Sequence, residues 1–310
     1  MTSSTPTYVA IDIAKGQLQI QIGPRSLALE NNPTGFAKLK KELSKVDQPH
    51  VVFEATGGYE RELMYDLFAA GITLSRINPC RIRAFGGSLG LKSKSDRIDA
   101  RLILCYAQTI KPKADRPPEQ ARVELGRWMD RHHQLSEQLA REKNRLQMAP
   151  KYMQKGIQRM IDFIEEELSK VDQHMESLVR ANSAMCEQDR ILRSVQGIGP
   201  VNSRSILAYL GEIDHLSRNE VVALAGLAPF INESSTIKKK RRIAGGRAKL
   251  RTCLYMAAMS AAQHNPVICE YVERLKARGK PHKWVMVAAM RKLLLHIHSL
   301  LKKSRIPLAA

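Results

Sequence analysis

Four carboxylates in the first hundred residues are placed so that they could share one metal site. Asp12 lies inside an apolar run, and Glu54 follows a second one. Asp96 and Asp99 are three residues apart at the start of a predicted helix, so they share a face. Clustered carboxylates repel one another unless divalent cations neutralise them, and Mg²⁺ prefers hard oxygen ligands. Two such ions can stabilise the attacking and leaving oxygens of a phosphodiester.

Each carboxylate also has a simpler interpretation. Acidic residues are favoured in the first turn of a helix, where Ser95 could be the N-cap, and Asp-x-x-Asp is short enough to occur by chance. Asp12 could be a hydrogen-bonded turn residue near Gly16. The order of the four along the chain, together with the elements that carry them, favours a common site.

The surrounding pattern predicts an α/β domain. Apolar runs and alternation predict a two-stranded hairpin over 8–22, helices over 36–43 and 59–70, and strands over 50–54 and 72–77. Strands that alternate with helices indicate a sheet covered by helices. Glu54 then lies at the carboxyl end of its strand, where open α/β sheets place their chemistry.

The charge of the chain predicts a polyanionic partner. Its 310 residues include 50 Lys and Arg against 30 Asp and Glu, a formal net charge of +20. Residues 189–310 hold 22 of the basic residues and 7 of the acidic ones, so this part is expected to contact phosphates. The apolar fraction of 44% excludes a disordered chain. Five scattered cysteines without a Cys-x-x-Cys pair predict a reduced, cytoplasmic protein, and we expect neither a signal peptide nor a membrane span.

A long helical segment follows Pro117. Apolar residues at three-four spacing run over 125–146 and 157–178, with Pro150 between them. This pattern predicts a helical hairpin or an intermolecular coiled coil, and we favour a dimerising arm over a pair packed on its own domain. We expect His132 and His133 on its surface.

Two later stretches could hold phosphate groups. Gly197-Ile198-Gly199 between predicted helices resembles a helix-hairpin-helix turn, whose backbone amides hold phosphate without recognising bases, although an ordinary glycine-rich junction would look the same. The five basic residues of 238–242, with glycines and Arg247 beyond, are typical of a nucleic-acid-binding face, a solvated face or a localisation signal. Aromatic residues are few, which predicts no stacking platform for unpaired bases.

Six motifs, taken in order, resemble those of bacterial insertion-sequence transposases of the DEDD class. This family is related to the Piv/MooV DNA invertases and includes bridge-RNA-guided recombinases. The motifs are Ile11-Asp12, Phe53-Glu54-Ala55-Thr56-Gly57, Lys94-Ser95-Asp96-x-x-Asp99-Ala100, Gly197-Ile198-Gly199-Pro200, Ala225-Gly226-Leu227-Ala228-Pro229 and Gly245-Gly246-Arg247.

The resemblance implies three domains and a divided active site. It implies a RuvC-like, RNase H-type α/β domain over 1–115, a coiled-coil arm over 116–185, and a mainly α transposase domain over 186–310. The implied Mg²⁺ ligands are Asp12, Glu54, Asp96 and Asp99. Ser234 matches the nucleophilic serine of the family. Ser235 stands where the family usually has glycine, so both hydroxyls are candidates and Ser234 is preferred.

The implied activity is DNA strand exchange through a covalent phosphoserine. The implied partners are donor and target DNA, a non-coding bridge RNA, and further copies of the chain, with a dimer that becomes a tetramer in synapsis. The expected nucleic-acid contacts are Lys92, Lys94, Gly197, Gly199, Lys238, Lys239, Lys240, Arg241, Arg242 and Arg247. Two alternatives remain open: a metal-dependent nuclease or junction resolvase that cuts with water, and a non-catalytic nucleic-acid-binding protein.

Overall fold

The computed structural model describes residues 6–90, 96–117, 119–230, 233–234, 237–238 and 242–304. The chain forms two compact units, Met1–Pro117 and Pro118–Ala310. The first is an α/β unit and the second is mainly helical, as the sequence predicts.

The N-terminal unit is built on one mixed five-stranded sheet of order β3-β2-β1-β4-β5. Its first three strands form an antiparallel meander, while β4 runs parallel to both β1 and β5. The predicted elements are confirmed, whereas the strand over 25–30 and the helix over 79–88 were missed. The strands are β1 Thr7–Ile13, β2 Gln17–Ile22, β3 Arg25–Glu30, β4 Pro49–Glu54 and β5 Thr73–Ile77, and the helices are α1 Pro33–Leu43, α2 Arg61–Ala69, α3 Pro79–Ser88 and α4 Asp96–Ile110.

Helices cover both faces of this sheet. Val9 and Ile11 of β1 share a buried cluster with residues of α1 and α2, whereas Tyr8 and Ala10 share another with residues of α4. Successive side chains of a strand point to opposite faces, so the centre of β1 is buried on both sides. The polar residues Thr7 and Asp12 of β1 therefore lie towards the two ends of the strand.

The C-terminal unit contains eight helices of seven or more residues within its described part, and four two-residue strands. A short 3-10 helix, Ile213–His215, lies between α8 and α9. The helices are α5 Gln120–Met148, α6 Lys151–Ala181, α7 Ser183–Arg193, α8 Pro200–Tyr209, α9 Arg218–Leu224, α10 Ala248–His264, α11 Pro266–Ala277 and α12 His282–Lys303; the strands are β6 Pro229–Phe230, β7 Glu233–Ser234, β8 Ile237–Lys238 and β9 Arg242–Ile243.

The two long helices form a hairpin whose base belongs to the core of this unit. Leu125 of α5 and Met175 of α6 share one buried cluster with residues of α8, α10 and α12. The prediction that His132 and His133 lie on the surface is wrong, because both rings are partly buried beside α6 and α8. At the other end of the hairpin, Met148 and Tyr152 are 89% and 85% exposed.

Helix α12 is the one helix in the described part of the chain that is long and apolar enough to cross a membrane. Half of that apolar window is buried, and Leu293, Leu294 and Ile297 lie in the core of the C-terminal unit. The composition of α12 is that of a central core helix.

Candidate active site

Asp12 and Glu54 lie side by side at the carboxyl ends of two parallel strands. In the register between β1 and β4, Ile11 is paired with Phe53, so the next residue on each strand is a carboxylate. Ile11 and Phe53 belong to the cluster with α1 and α2, and alternation therefore places both carboxylates on the opposite face of the sheet. Both are partly buried. The sheet thus brings together two residues that are 42 positions apart in sequence.

Helix α4 brings a third carboxylate to this face. It packs across β1, β2 and β4, and its residues Ile103 and Ala107 share the buried cluster of Tyr8 and Ala10. Asp99 is one turn before Ile103, on the same side of the helix, and is partly buried. The side chain of Asp96 lies outside the described residues, although the helix begins at Asp96 as predicted. Lys92, Lys94 and Ser95 also lie outside the described residues.

The oxygen atoms at this sheet edge are of the type that binds hard divalent cations. Carboxylate oxygens are the preferred ligands of Mg²⁺, and two of them come from adjacent strands at the same level. Among the side chains that the structure describes, no group of three or more His, Cys, Asp or Glu is close enough together to hold a metal ion. The pair Asp12 and Glu54 is therefore the fixed part of the candidate site.

A buried glutamate, which no sequence motif marks, orders the loop after Glu54. Glu60 is only 4% exposed. Its carboxylate accepts hydrogen bonds from the hydroxyl of Thr56 at 2.9 Å and from the backbone N–H of Gly58 at 2.8 Å. Burial alone raises the pKa of Glu60, but the hydrogen bonds from the loop outweigh it and lower that pKa below its usual value. The carboxylate is therefore ionised and holds the loop in one shape.

Asn31 joins the two loops that follow the carboxylate-bearing strands. Its side-chain amide donates to the carbonyl oxygen of Ala14, at 2.9 Å, and to that of Tyr59, at 3.1 Å. Ala14 comes two residues after Asp12, and Tyr59 comes five residues after Glu54. Asn31 and Glu60 thus position the backbone around the candidate ligands. Only the tertiary structure shows this, since neither residue belongs to a recognisable motif.

Ser234 lies on a short β-hairpin in the C-terminal unit. Strand β6 pairs with β9, and farther along β7 pairs with β8, in antiparallel fashion. Ser234 is opposite Ile237, so only two residues separate the paired positions. Ser235 is one of these two and lies outside the described residues, as do Lys239, Lys240 and Arg241. The returning strands carry Lys238 and Arg242.

The base of this hairpin is held by a contact between two glycine turns, 224–226 and 245–247, which we call the glycine contact. Gly226 and Gly246 both have left-handed backbone angles, φ +67° and +66°. A Cβ on Gly226 would lie 2.3 Å from the carbonyl oxygen of Gly245, and one on Gly246 would lie 2.2 Å from the nitrogen of Gly226. The N–H of Arg247 donates to the carbonyl oxygen of Leu224 at 2.7 Å. Only glycine fits at both positions.

Arg247, a predicted phosphate contact, is engaged within the protein. Its guanidinium donates to the carbonyl oxygen of Tyr209 at 2.6 Å and forms an ion pair with Glu212. Burial raises the pKa of Glu212, but the hydrogen bond and the charge of Arg247, together with the charge of Arg122, outweigh burial and lower this pKa. Arg247 thus fixes the end of the glycine contact to the segment after α8.

The two glycines of the predicted helix-hairpin-helix turn differ in their surroundings. The turn lies between α7 and α8, as predicted. Gly197 has φ +100°, and a Cβ there would lie 2.6 Å from the backbone of Ala261, so this glycine allows α8 and α10 to approach. Gly199 is exposed with open space around it, and it is the N-cap of α8. Gly199 is therefore the better placed of the two to meet a phosphate.

Comparison with known proteins places this architecture in a family. The profile of a family described as transposase, the DEDD domain of IS110 elements, matches residues 9–149, and that of the transposase IS116/IS110/IS902 family matches residues 189–273. The pilin gene-inverting proteins of Moraxella lacunata and Moraxella bovis are each 25% identical over 311 residues, which cover 96% of this chain and 97% of theirs. An insertion element IS110 protein of 43.6 kDa from Streptomyces coelicolor is 25% identical over 124 residues, or 38% of this chain and 31% of its own. The two profiles match the carboxylate-bearing unit and the core of the serine-bearing unit, and the chain belongs to the family of IS110-type transposases.

Proposed function

We propose that this protein is a DNA transposase or invertase that cuts and rejoins strands through a covalent phosphoserine. The observation that carries the proposal is the register that sets Asp12 and Glu54 side by side at one sheet edge. The family membership supports it, since the relatives with full-length similarity are named for inverting a pilin gene. The formal charge of +20 supports a DNA substrate.

In the proposed reaction the hydroxyl oxygen of Ser234 attacks the phosphorus of a DNA phosphodiester. A bond forms between that oxygen and phosphorus, and the bond from phosphorus to one sugar oxygen breaks. The serine proton leaves to a base or to water, and the released sugar oxygen takes up a proton. A free DNA hydroxyl then attacks the phosphoserine in the reverse sense, so that strands are rejoined without an external energy source.

In this scheme the carboxylates of the sheet edge bind the metal ion and orient it towards the phosphodiester. Asp12, Glu54, Asp96 and Asp99 would hold Mg²⁺, which neutralises their charge, polarises the phosphoryl oxygens and favours ionisation of the serine hydroxyl. Glu60 and Asn31 keep the loops after Asp12 and Glu54 in place. Lys238 to Arg242, beside the serine, hold the DNA backbone and offset the charge that develops at phosphorus.

We further propose that a non-coding bridge RNA selects the donor and target DNA. The support is the resemblance to guided recombinases, in which base pairing reads sequence while the protein holds shape and backbone. We place this activity in the bacterial cytoplasm, where all five cysteines, which are free in the structure, would stay reduced.

Strand exchange on supercoiled plasmid DNA tests the main proposal. A plasmid carrying the element ends and a target site is incubated with protein, RNA and Mg²⁺, and the products are sequenced. We expect rejoined junctions, and we expect Ser234→Ala to abolish both cutting and rejoining. Cutting that continues in Ser234→Ala, without rejoining, would support a water-dependent nuclease instead.

A second copy of the chain is the proposed partner of the hairpin tip formed by the ends of α5 and α6. Met153, Met160 and Phe163 recur at intervals of seven and three residues, and each is at least half exposed.

Because Ser234 and the carboxylates belong to different units, we propose that each active site combines two protomers. A mixture of Asp12→Asn and Ser234→Ala proteins should then recover activity that neither protein has alone. Sites completed within one protomer would give an inactive mixture.

A further inference from the structure

The end of the hairpin formed by α11 and α12 carries positive charge without any acidic counterpart on the chain that follows. From Arg274 to Ala310 the sequence has no Asp or Glu, and five Lys and Arg lie around the turn, between Arg274 and Lys283. Such a one-sided distribution is unusual for a surface whose only task is solubility, where charges of both signs are interspersed. It favours an anionic partner at this surface.

The turn between the two helices is built by specific backbone bonds. Gly279 adopts φ +66° directly after α11, and its N–H donates to the carbonyl oxygen of Lys276 at 2.8 Å. The N–H of Lys280 reaches back to the carbonyl oxygen of Leu275 at 3.3 Å, which closes the helix end. The turn therefore presents Arg278 and Lys280 from an ordered backbone, and both are exposed.

The cations of this turn have no carboxylate partner within the described part of the chain, apart from Lys276, which pairs with Glu273 at 2.8 Å. Lys283 lies in the first turn of α12, where the helix dipole disfavours positive charge, and this turn has no acidic residue. Helix stability alone would place Asp or Glu there. An anion bound from outside would offset this unfavourable arrangement.

An exposed tryptophan stands among these cations. Trp284 is 50% exposed, and the ammonium nitrogen of Lys280 lies 5.6 Å from its ring centroid. The other tryptophan of the chain, Trp128, is partly buried against the ring of His174 at 4.4 Å. An aromatic ring flanked by cations is the pattern that binds unpaired nucleotides, because bases stack on the ring while phosphates meet the charges.

We propose that this surface, Arg278, Lys280, Lys283 and Trp284, binds a single-stranded segment of nucleic acid. Trp284 stacks on an unpaired base, and the three cations neutralise the flanking phosphates. The few aromatic residues of the chain predicted no stacking platform, and Trp284 supplies a single one. The proposal concerns binding alone, so it stands or falls independently of the serine chemistry.

Tryptophan fluorescence tests the proposal directly, because Trp128→Phe leaves Trp284 as the only tryptophan. This protein is titrated with a 12-nucleotide single-stranded RNA, the DNA of the same sequence, and the corresponding duplex. We expect saturable quenching by the single strands and little by the duplex. Tighter binding of RNA would assign the segment to a guide, and tighter binding of DNA would assign it to an unwound substrate strand.

Variants separate stacking from general charge. Trp284→Ala should weaken single-strand binding about 5- to 30-fold, as expected for the loss of one stacked base, while Trp284→Phe should retain part of the affinity. Lys283→Gln should lower the slope of log affinity against log salt by about 0.7. Val267→Ala, at the exposed opposite end of α11, is the matched control and should change nothing. Unchanged affinity in Trp284→Ala, or equal quenching by the duplex, would overturn the proposal.

Discussion

The sheet edge with its carboxylates and the hairpin with its serine are held in place by different means. Asp12 and Glu54 are fixed by the hydrogen-bonded register of β1 and β4, which lie at the centre of a sheet buried on both faces. Ser234 stands on two-residue strands whose base is fixed by the glycine contact. Precision at the sheet edge therefore comes from many backbone bonds, whereas precision at the hairpin depends on a few close contacts. Substitutions should affect the two regions in different ways.

The largest effect on activity is expected from substitutions at the sheet edge that remove a carboxylate charge but keep the shape of the side chain. Asp12→Asn and Glu54→Gln preserve shape but weaken metal binding, so each should slow strand cleavage by on the order of 10³-fold. The thermal unfolding of the N-terminal unit should hardly change, because the sheet register does not depend on the charge. Asp47→Asn, an exposed carboxylate of the same unit, serves as control. A loss of activity that follows a loss of folding would contradict the proposed rigidity of this edge.

The hairpin should respond to added volume at its base. Gly246→Ala combines left-handed strain with a clash against Gly226, so it should destabilise the C-terminal unit by about 2–4 kcal/mol and lower recombination at least tenfold. Gly245 is a matched control, because it has φ +68° and open space around its Cβ position. Gly245→Ala should cost only about 1–2 kcal/mol from strain. Denaturant unfolding and recombination assays distinguish the two, and equal effects would show that the close contact is unimportant.

A smaller effect should follow from loosening the loop beside Glu54. Glu60→Gln removes the charge that accepts the loop hydrogen bonds, and we expect about a tenfold weaker affinity for Mn²⁺ used as a probe in calorimetry. The same variant should need correspondingly more Mg²⁺ for half-maximal cleavage. Glu62→Gln, an exposed position in the first turn of α2, should behave as the original protein. If the metal affinity of Glu60→Gln were unaltered, Glu60 would not position the metal ligands.

The core that carries the hairpin should show its own response to pH. Hydrogen bonds from Arg204, at 2.7 Å, and from Arg193, at 2.9 Å, together with the charges of both arginines, lower the pKa of Glu176 to about 2, from a usual value of 4.5. These ion pairs therefore stabilise the C-terminal unit above about pH 4.5, and this contribution is lost as the pH falls towards 2. Glu176 is partly exposed, so Glu176→Gln should cost on the order of 2 kcal/mol at pH 7 and much less at pH 2. Calorimetric scans of both proteins across this range would show the difference closing, and a difference independent of pH would contradict the assignment.

Sequence patterns predicted the helices and strands better than the contacts that position the loops around the candidate site. Alternation predicted the strands that place Asp12 and Glu54, because a sheet buried on both faces leaves apolar runs that end at its edge. It did not reveal β3, whose residues 25–30 mix exposed and partly buried side chains. Asn31 and Glu60 could not be predicted, since their roles arise from contacts with backbone groups of other segments. The glycine contact joins segments 20 residues apart, and no local pattern marks such pairs.

The location of the DNA attachment tests the central claim most directly. Reactions are stopped in denaturant, digested with protease and nuclease, and the peptides are analysed by mass spectrometry. We predict a nucleotide attached to Ser234, absent in Ser234→Ala and Asp12→Asn but present in Ser235→Ala. Attachment to another residue, or strand cleavage without any attached nucleotide, would contradict the account.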